Sequence, residues 1–233
     1  MTTLGDRLAV VEERIVSACR RAGRERSSVR LMAVSKTHPA EAIREAAEAG
    51  LTLFGENRVQ EFESKRSALQ GDVEVHLIGH LQSNKAAKAA AIFSAIDTVD
   101  SLRLMERLNE AARQLDRRLP VLLEIKLSAE ATKAGFDPQG NELRETLERV
   151  LDFANVEVRG LMTIAPLDEN PETARACFRR LRELREELMQ CHPHVSFDEL
   201  SMGMSSDFEI AIEEGSTLVR IGTAIFGVRE KRA

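Results

Sequence analysis

Three short stretches carry residues whose types and spacing suit chemistry. In "LMAVSKTHP" (31–39) an apolar run ends on Ser35 and Lys36, just ahead of His38-Pro39 and a new polar helix. A lysine at the end of a buried strand is costly to desolvate. Partial desolvation lowers its pKa, so more of it is the neutral amine, which can attack an aldehyde to form a Schiff base. A lysine that snorkels to solvent is the plain alternative, and Lys126 and Lys133 are rival amines. In "SMGMSSD" (201–207), Ser201, Gly203, Ser205 and Ser206 precede the helical pattern "FEIAIEEG". In "RIGT" (220–223), Gly222 and Thr223 close a last apolar run. Helix starts expose free N–H groups, glycine allows close approach to the backbone, and hydroxyls add donors. Together they read as a phosphate cradle, against the alternative that Ser and Gly only cap helices.

A phosphate cradle and an amine suit a phosphorylated aldehyde, and pyridoxal 5′-phosphate (PLP) is the obvious one. Arg220 lies inside the last apolar run. Its guanidinium only donates hydrogen bonds. Against a pyridine nitrogen it would keep that nitrogen unprotonated and the ring a weak electron sink. The structural alternative is an ion pair with Glu124 or Glu199.

The elements that must position these residues alternate along the chain. Strand patterns read at 29–35, 52–55, 73–79, 95–100, 121–127, 156–164, 198–203 and 218–222, with helical patterns in the gaps. Eight strands and seven intervening helices predict an α/β fold, a single (β/α)8 TIM-type barrel over 1–233. An amphipathic helix over 3–22 is additional, with Thr3 and Asp6 as a capping box and Gly23 as its stop. A doubly wound sheet competes, but it would usually show a Gly-rich turn after strand one, where this chain has "SKTHP". In such a barrel function sits at the C-terminal strand ends, where all three stretches fall. The region 127–140 reads as a mobile loop over the mouth.

Composition removes other classes. The net charge of −5 gives no electrostatic reason to expect nucleic acid or an acidic membrane. Aromatics are 4% with no Trp or Tyr, against base-stacking platforms. Cys19, Cys177 and Cys191 are scattered, which fits a reducing, cytoplasmic setting. No apolar run is long enough to span a membrane. "CHPH" (191–194) reads as a helix end, not a metal site.

The motifs "AVSKTHP", "FGENRVQE", "HLIGHLQSNK", "RGLMTIAP" and "LSMGMSSDFEIAIEEGSTLVRIGTAIFG" give the chain a resemblance to the PLP homeostasis proteins from about residue 5 to 228. These proteins have an alanine-racemase-like N-terminal barrel of fold type III. The resemblance implies that Lys36 forms the Schiff base, Arg220 faces the pyridine nitrogen, and Ser201, Gly203, Gly222 and Thr223 cradle the phosphate. Asn57 would be a ring-side contact, with His80, Met162, Ser205 and Ser206 in a second tier. The stretch "IKLSAEATKAGF" departs from the more polar family pattern, though Lys133 and Gly135 keep its outline. The implied role is a monomeric carrier or buffer of PLP, with PLP-dependent apo-enzymes as partners and no catalytic turnover. Fold-type-III racemases use a tyrosine as second base and a C-terminal β-domain. This chain has no tyrosine and ends soon after the eighth strand pattern. A weak PLP-dependent amino-acid racemase is the first alternative, and a class I aldolase-type barrel using Lys36 without cofactor is the second.

Overall fold

The computed structural model describes residues 2–69, 73–128 and 134–227. Eight parallel strands close into a barrel in chain order. They are β1 (Arg30–Val34), β2 (Leu53–Glu56), β3 (Glu74–Leu77), β4 (Ala95–Val99), β5 (Leu119–Glu124), β6 (Val156–Met162), β7 (Glu199–Ser201) and β8 (Leu218–Ile221). The last strand returns to the first, with Arg30 opposite Leu218 and Ala33 opposite Ile221. The fold is the expected (β/α)8 barrel with an additional N-terminal helix.

The strands read as apolar runs because helices cover their outer faces. β4 and β8 are buried at every position. The crossover helices are α2 (Ala40–Glu48), α3 (Val59–Arg66), α4 (Ala86–Ile92), α5 (Leu102–Gln114), α6 (Asn141–Glu148), α7 (Pro171–Cys191) and α8 (Phe208–Glu213). The N-terminal helix α1 (Leu4–Arg21) starts as its sequence dictates. Asp6 N–H donates to Thr3 Oγ1 at 3.1 Å, and Thr3 N–H donates to Asp6 Oδ2 at 2.8 Å. Gly23, just past its end, takes a left-handed φ of 64°. Val11, Ile15 and Ala18 bury the inner face of α1, and Arg14 pairs with Glu209 of α8 at 2.9 Å.

One element adds to those read from the sequence: after the last strand a ninth helix among the described residues, α9 (Thr223–Phe226), begins directly after Gly222. The alternative reading of Arg220, an ion pair with Glu124 or Glu199, is not formed at contact distance. Arg220 donates to Ser201 Oγ at 2.7 Å and to the Thr163 carbonyl at 2.9 Å. Neutral acceptors satisfy it because β6 and β7 place a hydroxyl and a strand-end carbonyl where a carboxylate would otherwise be needed.

The β7 seam is the thinnest. β7 meets β8 at one register pair, Ser201 opposite Leu218. Side chains reinforce it: Ser216 Oγ lies 2.8 Å from the Met202 carbonyl and 3.1 Å from that of Leu218. Leu200 N–H donates to Thr217 Oγ1 at 2.8 Å. On its other side β7 lies so close to β6 that a Cβ at Gly160 would sit 1.9 Å from the Glu199 carbonyl oxygen.

Candidate functional site

The C-terminal ends of β1, β2 and β8, with the loops after β3, β6 and β7, surround a cavity of about 370 Å³. That is within the range of small-molecule sites, roughly 300–1,000 Å³. Its polar lining is Lys36, His38, Asn57, Ser205, Ser206, Arg220 and Thr223, with Gly222 on the β8 side. Val34, Ile78 and Ile164 give it apolar walls. Among the described residues, no backbone carbonyl accepts from the amides of Ser205, Ser206, Gly222 or Thr223. One rim therefore offers free N–H and O–H donors, and Lys36 lies in the turn after β1. Arg220 is 4% exposed, and burial holds its pKa below the usual arginine value. Asp97, Glu124 and Asp207 act on it in the opposite sense. It stays a cation with donors to spare beyond Ser201 and Thr163.

Lys36 is carried between two pinned neighbours. Ser35 is fully buried and donates through Oγ to Glu56 Oε1 at 2.7 Å. Thr37 has a φ of 67°, rare for a β-branched residue, and its N–H donates to Glu61 Oε1. Both carboxylates meet one cation, with Lys65 Nζ at 2.9 Å from Glu56 and 2.7 Å from Glu61. Lys65 Nζ also donates to the Ser35 carbonyl at 3.3 Å. Burial pushes the Glu56 carboxyl up, although Lys65 and Ser35 oppose the shift. The network spans β2 and α3 and fixes the β1–α2 turn that presents Lys36.

A second compartment of about 530 Å³ adjoins the first, sharing Asn57, Ile78 and Ile164. Its further lining includes His80, Glu124 and Lys126. His80 Nδ1 lies 3.0 Å from Asp100 Oδ2. Glu124, the last residue of β5, is 8% exposed. Burial, reinforced by Asp100, raises its pKa to about 7 against the pull of Arg220 and His80.

Of the residues the sequence singled out, Lys36, Asn57, Arg220, Gly222, Thr223, Ser205 and Ser206 converge on the first cavity. His80 lines only the second compartment. Ser201 is fully buried beneath the first, orienting Arg220. Gly203 lies under its rim at φ 94°, where a Cβ would meet Ala211 Cβ at 2.5 Å. Its carbonyl accepts from Arg220 N–H at 3.0 Å. Met162 is buried in the wall of β6. The 127–140 expectation falls partly, and Lys133 wholly, outside the described residues. At the near edge of that region Phe136 N–H donates to the Glu124 carbonyl at 2.7 Å. Sequence reasoning missed His38, the apolar walls and the Lys65 network. Glu56 carried the available signal, an acid inside a buried strand.

These residues fit PLP: unpartnered amides and hydroxyls for a phosphate, a buried fork of donors for a ring nitrogen, and an amine in the turn after β1 that lines the same cavity.

The comparisons with known proteins agree with one another. The family described as "Alanine racemase, N-terminal domain" matches residues 8–230. A pyridoxal phosphate homeostasis protein of Aquifex aeolicus is 47% identical over 226 residues, covering 97% of this chain and 98% of that protein. The protein of that name in Pseudomonas aeruginosa is 42% identical, covering 99% and 97%. PipY of Synechococcus elongatus, solved with PLP bound, is 44% identical with a TM-score of 0.86, covering 97% of this chain and 100% of that one. An alanine racemase of Clostridium difficile is 14% identical with a TM-score of 0.70 over 94% of this chain and 57% of that one, a likeness of fold alone. The barrel, the position of Lys36 at its mouth and these matches lead to one conclusion: the chain belongs to the alanine racemase N-terminal domain family, among its pyridoxal phosphate homeostasis proteins.

Proposed function

We propose that this chain binds PLP, holds it as a Schiff base on Lys36, and serves intracellular vitamin B6 and linked amino-acid homeostasis without catalytic turnover. The observation that carries the reading is the cavity between Lys36 and the free donors of Ser205, Ser206, Gly222 and Thr223. In it Arg220 faces the ring nitrogen and keeps it unprotonated, since a guanidinium does not give up its proton. Bound PLP supplies electron-sink chemistry, and Arg220 dampens it. Gly222 and Thr223 take the phosphate directly. Ser201 and Gly203 support that cradle from below, and Asn57 stands beside the ring. The chain acts as one cytoplasmic barrel domain, 1–233, as a monomer, and PLP-dependent apo-enzymes are the partners such a carrier would serve.

The test is the visible absorption spectrum of the purified protein and its Lys36→Ala variant, before and after borohydride reduction. The parent shows a Schiff-base band that borohydride fixes covalently, and the variant lacks it. A colourless parent that takes up no added PLP overturns the reading and favours the aldolase-type alternative.

One observation favours a second reading, a PLP-dependent amino-acid racemase of low activity. The His80–Asp100 pair at 3.0 Å is a proton acceptor at the barrel mouth of a chain with no tyrosine. α-Proton exchange of D- or L-alanine in deuterated buffer would support it, and its absence removes it.

A further inference from the structure

The Lys36 cavity draws on two short elements. The turn from Ser35 to Pro39, between β1 and α2, carries Lys36, and the four-residue α9 carries Thr223 directly after Gly222. The turn is strained. Thr37 holds a φ of 67°, and a β-branched residue stays there only where its surroundings over-determine it. Glu61 of α3 accepts the Thr37 N–H and is one tether. A ring pair is a second. His38 stacks on Phe226 of α9, with ring centroids 4.8 Å apart and planes 29° from parallel. The His38 N–H donates to the Ser35 carbonyl at 3.0 Å, which closes the turn around Lys36. α9 is itself anchored to α1, where Arg7 Nε donates to the Ile225 carbonyl at 2.6 Å.

The ring pair therefore joins the element that carries the amine to the element that carries the free donors of Thr223. His38 also lines the cavity between them. A ligand bonded to Lys36 and seated on Gly222 and Thr223 spans the same two elements. Holding both in place before the ligand arrives lowers the ordering cost of binding, and such a gain shows mostly as slower release.

We propose that His38 is a positioning residue for PLP: its stack on Phe226 clasps the Lys36 turn to α9 and sets how long the cofactor is retained. The inference rests on the PLP reading, and one arm of its test is read without PLP, so the two fail separately.

The PLP-free arm measures amide hydrogen exchange at Ile225 and Phe226, both bonded to the Gly222 carbonyl at 2.9 Å. The loaded arm adds excess 4′-deoxypyridoxine 5′-phosphate, which has no aldehyde and blocks rebinding, and follows the decay of the Schiff-base band. His38→Ala and Phe226→Leu each speed release about two- to tenfold, the range that one aromatic pair carries. The double variant is no faster than the quicker single one, since both remove the same contact. His38→Ala speeds exchange at Ile225 and Phe226 in the PLP-free protein. His38→Phe, which keeps a stacking ring and has no ring nitrogen, restores both slow release and slow exchange. A stack that only adds stability would lower the urea midpoint of His38→Ala and leave its release rate at the parent value. That result, fast release in His38→Phe, multiplied effects in the double variant, or unchanged exchange in His38→Ala overturns the proposal. A parent that takes up no PLP while its α9 exchange still answers to the ring sinks the cofactor reading and leaves the clasp standing. PLP uptake with release indifferent to His38 sinks only this inference.

Discussion

At the residue scale, Arg220 shows why side-chain geometry outweighs charge alone. Its two contacts leave one nitrogen on Ser201 and another on Thr163. Lysine has a single nitrogen and cannot serve both acceptors and a ligand. Arg220→Lys is therefore expected to cost about 1–3 kcal/mol of stability, read from urea midpoints, and to weaken PLP uptake as well. Unchanged PLP affinity in a destabilised variant would limit Arg220 to a structural role. Lys36 and Arg220 were legible in the sequence because charged groups at the end of an apolar run, or inside one, stand out. Ser201 and Gly203 were legible as residue types but not as places. Whether a hydroxyl at the end of a three-residue strand faces a ligand or an arginine depends on the neighbouring strand, and a single sequence does not carry that.

At the element scale, the alternation of strands and helices was readable throughout, because both periodicities were strong. The α9 turn was missed since four residues, Thr223–Phe226, are too few to show a helical period. The Lys65 network was missed for a different reason. Glu61 and Lys65 lie four apart on α3 and read as an ordinary solvated pair. The fold instead tucks Lys65, 9% exposed, beneath the β1–α2 turn against the fully buried Glu56. Removing one member strands a buried charge, so Lys65→Met is expected to destabilise the protein by about 3 kcal/mol or more. It should also loosen PLP at temperatures where the variant is still folded, because Ser35 and Thr37 lose their shared anchor. Lys65→Arg, which keeps the charge, should restore part of both. Wild-type PLP affinity in folded Lys65→Met would separate the network from the site.

At the scale of the whole molecule, the barrel encloses charge that most cores avoid, and pH reaches it. His76 sits inside β3, 3.0 Å from Asp97 and 3.8 Å from Glu74, whose other partner, Arg30, is at 2.8 Å. Burial alone would pull the His76 pKa down, but Asp97 and Glu74 outweigh it and raise it to about 9 from 6.5. Glu74, bound to His76 and Arg30, falls to about 2 from 4.5. A histidine raised in the folded state binds its proton more tightly there, so its contribution is complete below about 6.5 and is lost as pH rises through about 9. Glu74 contributes above about 4.5 and is lost as pH falls toward about 2. Glu124 acts oppositely to Glu74: its carboxyl, raised to about 7, lowers stability as pH climbs from about 4.5 through 7. The parent is therefore expected to lose stability between pH 6.5 and 9. His76→Gln keeps a hydrogen-bonding side chain but cannot take up a proton, so its stability should change less over that interval. Urea midpoints of parent and variant at pH 6 and pH 9 decide the matter. The gap between them should be largest at pH 6 and shrink at pH 9. A gap of constant size would mean that His76 has the same pKa folded and unfolded, so that Asp97 and Glu74 do no more than offset its burial.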